Sequence, residues 1–264
     1  MVLRKYRPRL VGIVGNTGKT STKDAVYTIL KNHWRARRSA KSFNSEVGLP
    51  LSIIGRPNAW GRPFDWLTNL WFGFNLAIFR HDYPEWLVLE LGIDRPGDGR
   101  RLARWLKLDI AVLTSLPEVP VHLEFFSSPE ELNQEKLSVL TAVKRSGAVI
   151  LNGDDERIAT AKNKLLLQFS ERSLRVLTYG FNEPNDLQVH DEHLYYENDW
   201  PLGLTFKVDH AGHTVPFRLA GLIGRHQLYA VAAGLTVGTI LNLNLVKMAE
   251  ALATYQPPPG RLRL

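Results

Sequence analysis

The chain has 264 residues, 44% hydrophobic and 22% charged, enough apolar material for one large core or two small ones and too little charge for wholesale disorder. It contains no cysteine, which excludes disulfides, thiol nucleophiles and thiolate metal sites. A net charge of +7 suits an anionic partner, and nucleotides, acidic sugar precursors, nucleic acid and anionic lipid all qualify.

Residues 1–10 are basic but lack the apolar run of a signal peptide, and no stretch of 18 or more uninterrupted apolar residues follows, so a cytoplasmic protein is expected. Short apolar runs at 10–15, 86–90, 110–113 and 148–151 predict buried strands. Between the first two, Ala25, Val26, Ile29 and Leu30 mark one face of a helix over 19–30. A second helix is predicted over 129–143, with Ser128 as N-cap and acidic residues in its first turn. Strand–helix alternation predicts an α/β fold with a mainly parallel sheet and helices on both faces.

After about residue 174 the pattern changes. Runs at 174–179, 187–190, 204–208 and 214–219, separated by turn signals, predict a small β-rich subdomain over 174–220. Pro216 confines the last of these strands to a sheet edge. Helical periodicity returns over 227–240 and 246–255 and stops at Pro257-Pro258-Pro259.

The segment Gly15-Asn16-Thr17-Gly18-Lys19-Thr20-Ser21 follows an apolar strand and opens a helix, the setting of a phosphate-binding loop. Its glycines allow backbone N–H groups to approach phosphate oxygens, and the helix N-terminus adds partial positive charge. Lys19 is suited to the β- and γ-phosphates and Thr20 to Mg²⁺. The longer Gly-x-x-x-x-Gly-Lys-Thr form needs a glycine where Ile13 stands, so this is the shorter Gly-x-x-Gly-Lys-Thr variant.

From this loop onward the chain resembles the Mur ligase family, over nearly its whole length. The matching segments are Phe43-Asn44-Ser45-Glu46-Val47-Gly48-Leu49-Pro50, Glu90-Leu91-Gly92-Ile93-Asp94-Arg95-Pro96-Gly97-Asp98, and His122-Leu123-Glu124-Phe125-Phe126 with Lys136. Leu151-Asn152-Gly153-Asp154-Asp155, Gly224-Arg225-His226 and Pro259-Gly260-Arg261-Leu262 follow in family order. Within the family the likeness is greatest to the branch that joins D-alanyl-D-alanine to a UDP-muramoyl peptide. The resemblance implies a central ATP-binding domain that phosphorylates a carboxylate with ATP and lets an amine attack the acyl phosphate. Such a reaction gathers about five negative charges, which cations must offset.

By the same resemblance, Thr20 and Glu90 hold one Mg²⁺, and Glu90, His122 and a carbamylated Lys136 serve a second. Arg261 meets the γ-phosphate, while Asn44 and Gln227 belong to nucleotide binding. Taken singly, His122 reads as a loop histidine, Lys136 as solvated, Asn44 as a turn cap and Arg261 as a tail residue. The chain departs from the family at Gln227 and Ala230, where asparagines usually stand. The family's substrate-reading N-terminal domain and its C-terminal domain have no counterpart in residues 1–264, so weak nucleotide binding and poor ligation are expected of this chain alone. The competing readings are a nucleotide-binding scaffold or regulatory domain, and a related ligase acting on another carboxylate. A nucleic-acid partner rests on charge alone and is not expected.

Residues 60–80 carry Trp60, Phe64, Trp66, Trp71, Phe72, Phe74 and Phe79. Leu67, Leu70, Trp71, Phe74 and Ile78 share a helical face. That face is expected to pack on its own or a neighbouring domain; the alternative is an interfacial helix at the inner face of the cytoplasmic membrane, helped by the basic N-terminus.

Overall fold

A computed structural model describes residues 1–39, 46–116, 123–170 and 172–257. In chain order the elements are α1 (Val2–Tyr6), β1 (Arg9–Val14), α2 (Lys19–Leu30), β2 (Ala36–Arg38), α3 (Gly48–Ile54), α4 (Pro63–Ile78) and β3 (Trp86–Glu90). Next come α5 (Asp98–Ala103), β4 (Leu108–Leu113), α6 (Pro129–Ser138), β5 (Val143–Asn152), α7 (Glu156–Gln168) and β6 (Arg175–Gly180). The last are β7 (Leu187–Glu197), β8 (Trp200–His210), β9 (His213–Ala220), α8 (Arg225–Ile240) and α9 (Leu245–Leu252).

The strands form one nine-stranded sheet in the order β2-β3-β1-β4-β5-β6-β7-β8-β9. Pairing is parallel from β2 to β7 and antiparallel through β7, β8 and β9. The β-rich stretch thus continues the main sheet as an antiparallel arm, with Pro216 on its outermost strand as expected. Residues 129–143 divide: α6 stops at Ser138, and a 3₁₀ turn over Val139–Ala142 leads into β5. The tighter turn brings Val143 into register with Leu108 of β4.

Buried strands must satisfy both faces, and their side chains alternate accordingly. Val11, Ile13, Trp86, Val88, Ile110 and Val112 join one core with α2, α8 and α9. Leu10, Val14, Leu87, Leu89, Ala111 and Leu113 join a second core, on the opposite face. Helix α2 is enclosed because α8 lies over it, and at Gly234 an added Cβ would meet Ala25 at 3.3 Å. The central strand β1, flanked by β3 and β4, delivers the glycine loop to the carboxyl edge of the sheet.

Candidate phosphate and metal site

The loop between β1 and α2 is shaped by two glycines. Gly15 has φ 144°, and a Cβ there would stand 2.2 Å from Thr114 Oγ1 and 2.9 Å from the Ser115 nitrogen. Gly18 has φ 78°, the left-handed conformation, at the N-cap of α2. The turn after β4 clamps this loop. Asn16 N donates to the Ser115 carbonyl at 3.0 Å, Thr17 N donates to Ser115 Oγ at 3.0 Å, and Thr114 Oγ1 donates to the Thr17 carbonyl at 2.6 Å. Lys19 Nζ donates to the Gly15 and Asn16 carbonyls, both at 2.9 Å, so its ammonium sits at the loop itself.

Beneath the loop lies a carboxylate. Glu90, last residue of β3, is 2% exposed and accepts a hydrogen bond from Thr20 Oγ1 at 3.0 Å. Burial pushes its carboxyl above the ordinary range, opposed by the Lys23 and Lys19 ammonium groups and by the Thr20 hydroxyl. Lys23, one turn beyond Thr20 and 0% exposed, places Nζ 3.9 Å from Glu90 Oε2 and 3.7 Å from Asp24 Oδ1. Arg38, at the end of β2, pairs with Asp24 at 3.3 Å. Two carboxylates and two cations are therefore packed below the loop, each charge compensated by a neighbour.

Helix α6 supplies the other wall. Ser128 caps it by accepting from Glu131 N at 3.2 Å, as the sequence predicts. Lys136, 3% exposed, donates from Nζ to Asn16 Oδ1 at 3.0 Å, bridging 120 residues of sequence. Burial, together with the nearby Lys19 charge, lowers its pKa to about 8, against a weaker opposing pull from Asp94. A lysine that taken singly reads as solvated is thus held, with its pKa lowered, against the phosphate loop.

The structure brings Gly15, Asn16, Thr17, Gly18, Lys19, Thr20, Glu90 and Lys136 together. Ser21, the next residue of α2, is buried, and its carbonyl accepts from Tyr255 OH at 3.2 Å. Gln227 is buried in the first turn of α8. Two residues on, Tyr229 donates its hydroxyl to Asp154 Oδ2 at 2.8 Å, and Asp154 Oδ2 also accepts from Phe181 N at 2.7 Å. Asn44, His122 and Arg261 lie outside the described residues. Among the described residues no three His, Asp or Glu side chains form a metal cluster; Thr20 and Glu90 form a hydroxyl–carboxylate pair below the loop.

Sequence reading missed Lys23, Asp24, Arg38, Thr114 and Ser115. A signal existed for the first two. They lie three and four residues beyond Thr20, hence on the same helix face, and α8 covers that helix. Nothing local marks Thr114 and Ser115, whose partners are about a hundred residues away in sequence.

The Mur ligase middle domain family matches residues 13–238. Over 262 residues the chain is 24% identical to UDP-N-acetylmuramoyl-tripeptide--D-alanyl-D-alanine ligase of Bacillus subtilis (strain 168), covering 99% of this chain and 48% of that protein. The enzyme of the same name from Mycobacterium leprae (strain TN) is 25% identical over 254 residues, 94% of this chain and 43% of its own. The chain spans about half the length of the curated relatives it matches. Among solved structures, MurF ligase from Thermotoga maritima in complex with ADP superposes with a TM-score of 0.71 at 23% identity, covering 99% of this chain and 52% of that one. The family match spans the loop, the sheet and the helices that flank it, and the chain belongs to the Mur ligase family through its middle domain.

Proposed function

We propose that this chain is the ATP-handling part of an amide ligase of peptidoglycan precursor synthesis, joining D-alanyl-D-alanine to a UDP-muramoyl peptide in the cytoplasm. The convergence of Lys19, Thr20, Glu90 and Lys136 on one loop carries the reading. In this reading the loop amides and Lys19 hold the β- and γ-phosphates of ATP. The donor set suits Mg²⁺: a hydroxyl and a carboxylate, both hard oxygen ligands, meet at 3.0 Å, where burial raises the Glu90 carboxyl and the Lys23 and Lys19 ammonium groups offset part of that shift. Thr20 and Glu90 would hold the ion, with His122 and Lys136 serving a second. Bound there, Mg²⁺ supplies positive charge against the phosphate oxygens.

In this reading the acyl substrate lies along a cleft of 680 Å³ lined by Pro50, Asp94, Arg95, Asp98, Arg101 and Trp105, among others, in which Arg101 pairs with Glu46 and Asp98. Its carboxylate attacks the γ-phosphorus, the bond to the β-bridging oxygen breaks and ADP leaves. The amine then attacks the acyl carbon, phosphate departs, and the amine loses its proton. Lys136, with a pKa of about 8, has enough neutral amine near neutral pH to add CO₂, forming an N–C bond and releasing a proton. Arg261 would meet the transferring phosphoryl group.

A second reading, a nucleotide-binding scaffold without the chemistry, is favoured by Ala230, which offers no side-chain hydrogen bond on α8. Phosphate release from Mg·ATP separates the two. Release that rises on adding UDP-muramoyl tripeptide and D-alanyl-D-alanine, and falls with Glu90→Gln, supports the ligase. Nucleotide binding with no substrate-dependent release, also in a longer form spanning the relatives' full length, supports the scaffold.

A further inference from the structure

Helix α4 is built inside out. Its buried positions are Asn69 and Leu76. Asn69 is fixed by Arg56 Nε, which donates to its Oδ1 at 2.8 Å, and by its own Nδ2, which donates to the Pro57 carbonyl at 2.9 Å. Phe64, Leu67, Leu70, Trp71, Phe74 and Ile78 point the other way and are 51–81% exposed. At 3.6 residues per turn these six fall within an arc of roughly 120°. The outward face of α4 is thus one continuous apolar stripe that does not pack on the described residues of this chain, where the sequence led us to expect packing on its own or a neighbouring domain.

Both ends of the stripe are cationic. Arg62 precedes the helix and Arg80 follows it, both exposed. From α1, Lys5 Nζ donates to the Leu76 and Ala77 carbonyls at 3.1 and 3.2 Å, setting an ammonium at the negative end of the helix dipole. Residues 1–10 and 56–80 together carry seven cations (Arg4, Lys5, Arg7, Arg9, Arg56, Arg62 and Arg80) and one carboxylate, Asp65. No helix among the described residues is long and apolar enough to cross a membrane.

We propose that the outward face of α4 lies in the interface of an anionic lipid bilayer, its aromatic and aliphatic side chains in the headgroup–acyl boundary and Arg62 and Arg80 among the phosphates. A helix of sixteen residues, about 24 Å long, lies flat there along its whole stripe. Lipid suits this face better than a second copy of the chain. Pairing α4 with itself about a two-fold axis brings Arg62 and Arg80 of one copy against those of the other, a like-charge contact that anionic headgroups reverse. This inference does not rest on the ligase reading.

The test is flotation of the chain with vesicles of phosphatidylcholine alone and of phosphatidylcholine with 30% phosphatidylglycerol, a composition of about a third anionic lipid. We expect binding to the anionic vesicles, weakened but not abolished by high salt, and a loss of at least about tenfold in the doubly substituted Leu70→Asp/Phe74→Asp chain. Leu167→Asp, an exposed leucine on α7, serves as control and leaves binding unchanged. Circular dichroism melts establish that both variants fold. Absence of vesicle binding, binding indifferent to Leu70→Asp/Phe74→Asp, or a concentration-dependent dimer that the same pair abolishes would each overturn the proposal.

Discussion

Lys23, Glu90 and Lys136 are charged and buried; Phe64, Trp71 and Phe74 are apolar and exposed. These two regions depart from the usual partition of side chains in opposite directions, and the consequences for folding differ. Taking a charge out of water costs several kcal/mol unless a partner compensates it, so the loop region constrains itself through Thr20–Glu90, Lys23–Glu90 and Arg38–Asp24. Leaving an aromatic ring in water forgoes burial but strains nothing. Substitution at the loop should therefore disturb stability, and substitution on the α4 stripe should leave it almost untouched.

The largest effect is expected at Lys23. Lys23→Met keeps the stem volume but leaves Glu90 short of its buried cation, and we expect a loss of about 3–5 kcal/mol in urea denaturation. An unchanged midpoint would break the comparison. Next comes Gly15→Ala, whose new methyl would press on Thr114 Oγ1 at 2.2 Å and must adopt φ 144°; a loss of about 1–3 kcal/mol is expected from strain and overpacking.

Lys136 sharpens the same contrast through pH. Its folded pKa of about 8 lies below the ordinary 10.5, so between those values the unfolded chain binds a proton that the folded chain does not. Stability contributed by this group accordingly rises with pH through that window and is lost below about 8. Acylation of Lys136, followed by peptide mass spectrometry across pH 6–11, should show a midpoint near 8; a midpoint near 10.5 would mean the side chain is solvated after all. The smallest effect is expected at Phe74→Ser, within about 0.5 kcal/mol of the unsubstituted chain by the same denaturation.

Much of this was legible from residues alone where the physics is local. Apolar runs marked β1, β3, β4 and β5, and the glycines beside Lys19 marked the loop, because strand burial and left-handed backbone leave direct traces in composition. Helix α2 spans the same residues, 19–30, that its apolar spacing predicts, for the same reason. Of the elements that escaped, β2 is Ala-Arg-Arg and α7 buries chiefly Ile158 and Leu165, so both carry little apolar signal, whereas α3 is apolar but only seven residues long and interrupted by Pro50. Lys23 escaped for a different reason. Its spacing from Thr20 was visible, but a lysine within an amphipathic helix reads as solvent-facing until the rest of the fold is known to enclose that helix. The direction of the α4 stripe was hidden in the same way. Its apolar period announces a helix face, but only Asn69 turning inward to Arg56 reveals which side meets the protein.

The central claim is that backbone amides, Lys19 and the Thr20–Glu90 pair together form a triphosphate site. Calorimetric titration of Mg·ATP into the chain and into Lys19→Ala tests it most directly. We expect saturable heat from the first and affinity about a hundredfold lower in the second, the worth of a lost charged hydrogen bond. Identical heats from both, or none from either, would contradict the account.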